Sequence, residues 1–510
     1  MAIQPKKADY FRAQIDSLPP RPRPSFAGAG RPAYLLAYIR ADSATKCDAS
    51  MLRKLTAFAA FAIGLSPVRA QQPGVVADTV WCRNHPRQSY ALYLPAGYST
   101  ARTWPVVYMF DPAAQGAQPL RRYQGAADAY GFILAGSNSS ANGALESSLD
   151  AARVLRADIE SRYSVNKQRL YTSGFSGGSR VASAVAMLTE GIVGVAGCGA
   201  GLPDLPPSVK LPAGLAYAGL VGLDDSNYGE MLELRAQWRG QHTPHTLLVF
   251  DGGHDWPPAS TFGQALEWLE LQASKAGQRD KQPDGLTAYF QKRLAAARAI
   301  AEPLAAWEAY EQLRTDFAGL LDVAAAREGA EALARKPELQ RARQQQRTIL
   351  QRDSSWQRET GRAYYQALAT RAQPGTAPDA AGWRSRAAAV QQLRQSSNPA
   401  EQHLGNRQLH FLRLLFDSQG EAALANQDFW AAVTTFRLWT LVEPGSAAPY
   451  YQLAAAYALE GQSARAFKAL EQARTQGFSS RAELERNPAF RSLRVDKRYQ
   501  KLLASLPEKP

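Results

Sequence analysis

Short, almost continuously apolar segments alternate with amphipathic segments between residues 79 and 273. Continuously apolar strands are typical of a mostly parallel sheet whose two faces are both covered by helices. The alternation therefore predicts an α/β fold with three layers. The predicted strands are 89–95, 104–110, 131–137, 169–174, 191–198, 215–222 and 245–250, and the predicted helices are 117–129, 145–163, 178–190 and 259–273.

After about residue 277 the strand pattern ends and only helical spacing remains. Residues 285–370 are rich in Ala, Leu, Arg and Gln, and a stretch with Pro and Gly at 373–383 divides this part of the chain. We therefore predict a helical region over 276–412, in which degenerate repeats are one interpretation.

A 34-residue repeat follows this region. Small residues at matching positions let two helices pack closely, and large ones fill the groove between neighbouring units. The pattern resembles the tetratricopeptide repeat, closely over 447–480 and less closely over 413–446, although Phe478 stands where that consensus has a proline. The resemblance implies an all-α repeat domain over 413–510 that binds a protein partner or substrate. The matching pairs are Phe416 and Tyr450, Gly420 and Ala454, Ala432 and Ala466, and Phe436 and Leu470.

The N-terminal 70 residues have the layout of an export signal. Arg53 and Lys54 precede a largely apolar run of eleven residues at 55–65, and a small-x-small cleavage site follows at 68–70. This layout predicts a signal peptide over 51–70, removed to leave a periplasmic or secreted protein without membrane insertion. Residues 1–50 are then a disordered or misassigned upstream segment. A buried apolar helix behind a disordered arm is the alternative interpretation.

Composition is that of an ordinary globular protein, with 45% hydrophobic and 10% aromatic residues. The formal net charge of +14 is concentrated in residues 1–70 and 276–510, while 71–275 is close to neutral. No zinc spacing, phosphate-binding loop or aromatic-interleaved basic motif accompanies this charge, so nucleic-acid binding is not predicted. Of the three cysteines, Cys82 and Cys198 lie after the predicted cleavage site. They are expected either to form a disulfide or to remain as two free thiols.

A glycine-framed serine stands between a predicted strand and a predicted helix. The segment Gly174-Phe175-Ser176-Gly177-Gly178 matches the G-x-S-x-G pattern, in which a sharp turn exposes a nucleophilic serine. The serine hydroxyl needs a base, and the base needs an orienting acid.

His254 is the best-placed base among six histidines, because it follows the last strand directly after a Gly-Gly turn. Candidates for the acid, Asp224 and Asp225, follow the preceding strand. Ser, Asp and His in this chain order, each after a strand, resemble the α/β-hydrolase superfamily and its compact esterase and polyester-depolymerase branches. The resemblance covers roughly residues 79–273 and implies a three-layer α/β-hydrolase sandwich as a domain over 71–275. It favours Asp225 over Asp224, because a Gly-x-x-Asp pattern is common in the family after this strand.

The resemblance also implies an oxyanion hole of two backbone N–H groups. Gly177, directly after the serine, is one expected donor, and Ala113 is the other because Pro112 has no N–H. Many relatives have His-Gly where this chain has Asp111-Pro112. Trp256 is expected to line the substrate site, with core packing as the alternative.

These patterns predict an exported serine hydrolase that cleaves carboxylic esters through an acyl-enzyme. The substrate is a small-molecule or polymeric ester, a protein partner binds the helical repeats, and no metal or organic cofactor is implied. We expect a shallow, open cleft, since no lid helices are evident between residue 200 and the acid. The alternatives are a serine peptidase and a catalytically silent scaffold that acts as a protein-interaction module.

Overall fold

The computed structural model describes residues 71–206, 208–241, 243–278, 283–370 and 379–507. The predicted upstream segment and signal peptide, 1–70, lie outside the described residues. The same is true of His242 and of most of the predicted break at 373–383.

A mostly parallel sheet forms the first half of the described chain, as predicted. Its eight strands, counted over the described residues, have the spatial order β1-β2-β4-β3-β5-β6-β7-β8. β2 pairs antiparallel with β1 and β4, and every other pairing is parallel. The strands are β1 (Ala77–Cys82), β2 (His85–Tyr93), β3 (Trp104–Phe110), β4 (Ile133–Ser137), β5 (Val165–Phe175), β6 (Ile192–Cys198), β7 (Ala216–Gly222) and β8 (His245–Phe250).

Helices cover both faces of this sheet, because successive strand residues point to opposite sides. In β3, Val106 and Tyr108 pack in one core and Val107 and Met109 in the other. The first core is closed by helices α2, α3 and α4, and the second by α1 and α5. These helices are α1 (Ala117–Tyr130), α2 (Leu145–Arg162), α3 (Gly177–Leu188), α4 (Tyr228–Gln241) and α5 (Ala259–Lys275).

Two of these elements, β1 and α4, have no counterpart among the predicted ones. In α4, Met231, Leu234 and Trp238 are buried, but charged residues interrupt the apolar positions and weaken the pattern. In β1 only two residues are buried, as expected for an edge strand. Cys82 and Cys198 are buried free thiols that belong to different cores of the sheet. Burial raises the pKa of the Cys82 thiol to about 11.

Only helices follow the sheet in the described residues. The first three share a core with Leu271 of α5, and the later ones enclose a second core around the buried rings of Trp383, Phe416 and Phe436. The helices are α6 (Pro283–Ala299), α7 (Pro303–Phe317), α8 (Ala324–Ala334), α9 (Pro337–Ala369), α10 (Ala380–Arg394), α11 (Pro399–Ala425), α12 (Phe429–Val442), α13 (Ala447–Leu459), α14 (Ser463–Thr475), α15 (Arg481–Arg486) and α16 (Lys497–Ala504), with a 3₁₀ turn at Pro488–Leu493.

The sheet and the later helices belong to one compact unit, formed by the described residues between 73 and 203 and between 208 and 507. Arg235 of α4 pairs with Glu308 of α7, and Trp268 of α5 donates to Asp316 of α7 at 2.9 Å. Both contacts cross the predicted boundary between residues 275 and 276. Among the described helices, none has both the length and the apolar character that crossing a bilayer requires.

A buried ion pair fastens α5 to the middle of the sheet. Glu270 of α5 accepts from the guanidinium of Arg169 on β5 through both carboxylate oxygens. The Tyr171 hydroxyl donates to the same carboxylate at 3.0 Å. Removing one partner of such a pair leaves an uncompensated charge in the protein interior.

We predict that Glu270→Ala lowers the free energy of unfolding by about 3–5 kcal/mol, because Arg169 loses its counter-charge. Glu267 on the same helix pairs with the exposed Lys292, so Glu267→Ala is the matched control and costs at most about 1 kcal/mol. Urea unfolding followed by circular dichroism measures both. Equal losses in the two variants would contradict the prediction.

Candidate active site

Ser176 occupies a sharp turn between β5 and α3. Its backbone angles, φ 54° and ψ −120°, lie outside the usual regions for a residue with a side chain. The Ser176 N–H donates to the Cys198 carbonyl at 2.9 Å, which ties the turn to the end of β6. Both flanking glycines are required by space. A Cβ on Gly174 would lie 2.1 Å from the Gly178 carbonyl oxygen, and one on Gly178 would lie 2.0 Å from that of Phe110.

The structure brings together the three residues predicted as nucleophile, base and acid. His254 Nε2 lies 2.9 Å from Ser176 Oγ, and His254 Nδ1 lies 2.8 Å from Asp225 Oδ2. A carboxylate only accepts, so Nδ1 carries the proton and Nε2 is left to accept from the serine hydroxyl. The arrangement is a continuous chain of hydrogen bonds in which the imidazole is ready to take the serine proton.

Asp225, and not Asp224, contacts the imidazole. Its side chain is 1% exposed, and its second oxygen accepts from the Asn227 N–H at 2.8 Å. Gly199 lies directly beneath, where a Cβ would be 3.1 Å from Asp225 Oδ2 and 3.3 Å from His254 Cε1. Gly199 also has a φ of +67°, so both its conformation and the space around it favour glycine.

The predicted oxyanion donors stand in different situations. Gly177 is the first residue of α3, so its N–H has no hydrogen-bond acceptor within the helix and is available to an oxyanion. The Ala113 N–H donates to Asp111 Oδ1 at 2.9 Å, so it reaches an oxyanion only by leaving that carboxylate. The Asn142 side chain, which was not predicted, lies so close to Gly177 that a Cβ there would be 1.9 Å from its oxygen.

Trp256 is 2% exposed and packs against Tyr123 and Phe175, so the structure favours the packing alternative over substrate contact. Its indole N–H donates to Asp111 Oδ2 at 3.0 Å. The other carboxylate oxygen of Asp111 accepts from the backbone N–H groups of Ala113 and Gln115. An aspartate at this position therefore has a structural role as the acceptor of these hydrogen bonds. The carboxylate joins the loop after β3 to the loop that carries the base.

His410 of α11, which lies within the predicted helical region 276–412, reaches this site. The Ser226 N–H donates to His410 Nδ1 at 3.1 Å, and the His410 ring centroid is 4.5 Å from that of His254. His410 therefore lies against one side of the base, whereas Ser176 and Gly177 are partly exposed, so the open cleft stays a prediction. One sequence pattern could have indicated this contact. A stripe of polar residues interrupts the apolar pattern along one face of this helix, namely His403, Asn406, Arg407 and His410.

Asp225, His254 and His410 place metal-ligand atoms within 4.8 Å of one another. The Asp225–His254 hydrogen bond already uses one atom from each of two of these residues, and His410 Nδ1 accepts from Ser226. Binding of a cation would compete with the hydrogen bond that orients the imidazole.

No protein-family model and no curated protein matches this chain. Solved structures with partial similarity in fold include S-formylglutathione hydrolase from Staphylococcus aureus. It has 11% identity and a TM-score of 0.32, and the match covers 39% of this chain and 98% of that chain. Esterase B from Lactobacillus rhamnosis has 16% identity and a TM-score of 0.32, covering 45% of this chain and 97% of that chain. An esterase from Pyrobaculum calidifontis has 12% identity and a TM-score of 0.30, covering 40% and 86%. Similarity at this level decides nothing about the reaction of this chain.

We predict that Trp256→Phe lowers the free energy of unfolding by at least about 1.5–3 kcal/mol, because the buried Asp111 carboxylate loses one of its donors and the smaller ring leaves part of the indole volume unfilled. Trp81, exposed on β1, provides the control Trp81→Phe, which should be near neutral. Urea unfolding compares the two. A Trp256→Phe protein as stable as the wild type would show that this hydrogen bond does not hold the loops together.

Proposed function

We propose that this protein is a serine hydrolase that cleaves carboxylic esters through an acyl-enzyme intermediate. The observation that carries the proposal is the unbroken hydrogen-bond chain from Ser176 through His254 to the buried Asp225. This chain supplies a nucleophile, its base and an orienting carboxylate at hydrogen-bonding distance, which is what activation of a serine hydroxyl requires.

In the first half of the reaction Ser176 Oγ bonds to the ester carbonyl carbon while its proton passes to His254 Nε2. Asp225 stabilises the imidazolium that forms. The tetrahedral intermediate then collapses, the carbon–oxygen bond to the alcohol breaks, and the alcohol leaves with the proton from His254. In the second half a water molecule gives its proton to His254 and attacks the acyl-enzyme, and the acid product leaves as Ser176 regains its proton.

The negative oxygen of the tetrahedral intermediate needs donors aimed at it. We assign this role to the Gly177 N–H and, once released from Asp111, to the Ala113 N–H. The release is a specific requirement of this proposal, because Ala113 donates to Asp111 Oδ1 in the structure. Peptide amides and a silent scaffold are the competing functions, and an intact Ser–His–Asp chain weighs against the silent scaffold.

We also propose that residues 413–510 form a tetratricopeptide-like domain that binds a protein partner or holds the substrate. Two features of the helices support this proposal: α13 and α14 both lie within the predicted unit 447–480, and α12 lies within the predicted unit 413–446, although α11 begins at Pro399, before that unit. The small residues Ala432, Ala454 and Ala466 are fully buried, and a Cβ on Gly420 would lie 2.3 Å from the Phe436 ring. These contacts are what a repeat built on close helix packing needs.

The decisive test of catalysis is labelling by a fluorophosphonate probe, which forms a covalent bond with an activated serine. We predict that the wild-type protein is labelled and hydrolyses p-nitrophenyl esters, and that Ser176→Ala loses both activities while remaining folded. A folded wild-type protein that is neither labelled nor hydrolytic would favour the binding scaffold. A peptide amide assayed beside the esters distinguishes a peptidase.

The neighbouring aspartates provide a matched pair. We predict that Asp225→Asn lowers kcat by about 10⁴-fold, because the amide no longer holds the imidazole in the tautomer that accepts from serine. Asp224→Asn should have a far smaller effect, because Asp224 bonds His403 and Asn406 rather than the base. The reverse order of effects in steady-state assays would assign the acid to Asp224.

We propose export to the periplasm or exterior on the basis of the signal-like segment at 51–70. Mass spectrometry of the mature protein from expressing cells should find a chain that begins at Gln71. A chain that begins near Met1 would contradict export by this signal.

A further inference from the structure

The loop that carries the acid, residues 223–227 (the acid loop), is held from outside by one face of α11. His403 Nδ1 donates to Asp224 Oδ1 at 2.6 Å. Asn406 Nδ2 donates to Asp224 Oδ2 at 3.0 Å. These two hydrogen bonds hold the Asp224 carboxylate against α11. Because Asp224 is next to Asp225 in the chain, α11 also restrains the loop that places Asp225 beside His254.

The same helix also binds the acid-loop backbone through Arg407. Its Nη1 donates to the Leu223 carbonyl at 3.0 Å, and its Nε donates to Asp353 of α9 at 2.9 Å. Arg407 is 2% exposed, and Asp353 is buried as well. Gln357 of α9 donates to the Ser226 carbonyl at 3.3 Å. Buried polar networks of this kind tolerate little displacement, because each separated group would lose its partner without regaining water.

His410 completes this contact one helical turn further on, and it is the member of α11 that reaches the base. Its Nδ1 accepts from the Ser226 N–H, so the ring proton sits on Nε2. The ring is 4.5 Å from the His254 ring, with 33° between their planes. Phe175 is the other ring beside His254, at 4.6 Å. The imidazole of the base therefore has aromatic neighbours from both the sheet part and the helical part.

Charge explains how a second imidazole can lie beside the base. The charged or titratable groups near His410 are His254 and Asp225 of the two loops and Arg413 of its own helix. Burial is the main cause that lowers the pKa of His410 to about 4; His254 and Arg413 act in the same direction and Asp225 opposes them. His410 is consequently neutral around pH 7 and does not repel the imidazolium that forms on His254 during the reaction.

We propose that His410 is a positioning residue of the Ser176–His254–Asp225 site, which holds the acid loop through the Ser226 N–H and keeps the His254 ring in register with Ser176. The proposal rests on the function proposed above and deepens it. It makes the helical part a structural component of the active site, in addition to any partner that the repeats bind.

Three substitutions on α11 separate the two contacts of His410 from docking in general. His410→Phe keeps a ring beside His254 but removes the acceptor for Ser226. His410→Asn keeps an acceptor but removes the ring. His403→Ala is the matched control, because it removes a histidine two turns earlier on the same helix that contacts Asp224 and not the base. Each variant is compared with the wild-type full-length chain for folding by circular dichroism.

We predict that both His410 variants lower kcat for a p-nitrophenyl ester by about tenfold to a hundredfold with little change in KM, because misplacement of the base affects the transition state more than substrate binding. His403→Ala, which leaves both contacts of His410 in place, should lower kcat less than either His410 variant does.

The Ser226 amide gives a readout that does not depend on activity. Its hydrogen exchange should accelerate in His410→Phe and remain slow in His410→Asn. If the wild-type protein is labelled and hydrolytic but both His410 variants keep its kcat and its exchange rate at Ser226, this inference is overturned and the proposed function stands. If wild type is neither labelled nor hydrolytic, the proposed function itself fails. Should one variant not fold, the other still decides between these outcomes.

Discussion

The buried carboxylate of Asp225 is the constraint on which the site depends. A charge removed from water must be compensated by donors close at hand, or the group takes up a proton and loses its charge. Asp225 has two such donors, the His254 ring and the Asn227 N–H. The hydrogen bond from His254 orients the imidazole. The hydrogen bond from the Asn227 N–H holds the loop in the turn that places the carboxylate beside His254.

The sheet brings those donors together because parallel strands end at one edge. β7 and β8 are neighbours, and their pairing continues beyond the strands through the Asp224 N–H, which donates to the Gly252 carbonyl at 2.9 Å. A Cβ on Gly222 would lie 2.4 Å from that same carbonyl oxygen, so the two loops can approach only with glycine there. From the opposite side α11 contacts the acid loop. The catalytic geometry is thus set jointly by the sheet and by a helix that begins more than 170 residues after the acid loop.

The sequence predicted the parts of this structure that are encoded locally. The strand runs, the glycine-framed Ser176, and the positions of Asp225 and His254 after successive strands each depend on short patterns and on chain order. β1 and α4 were missed, because one is an edge strand with few buried residues and the other has an interrupted apolar pattern. The larger omissions are long-range contacts. The hydrogen-bonded residues Ser226 and His410 are 184 residues apart in the chain, and Asp111 and Trp256 are 145 residues apart. No local sequence pattern predicts contacts over such separations. The position of His410 against the base and the burial of Trp256 follow from these contacts.

The most direct measurement is a crystal structure of the full-length protein after reaction with a phosphonate ester. We expect the phosphorus bonded to Ser176 Oγ, its anionic oxygen about 3 Å from the Gly177 N–H, and His254 hydrogen-bonded to Asp225 with His410 still against its ring. An unmodified Ser176, or an adduct beside which the imidazole of His254 lies out of reach of Asp225 and His410, would contradict the account.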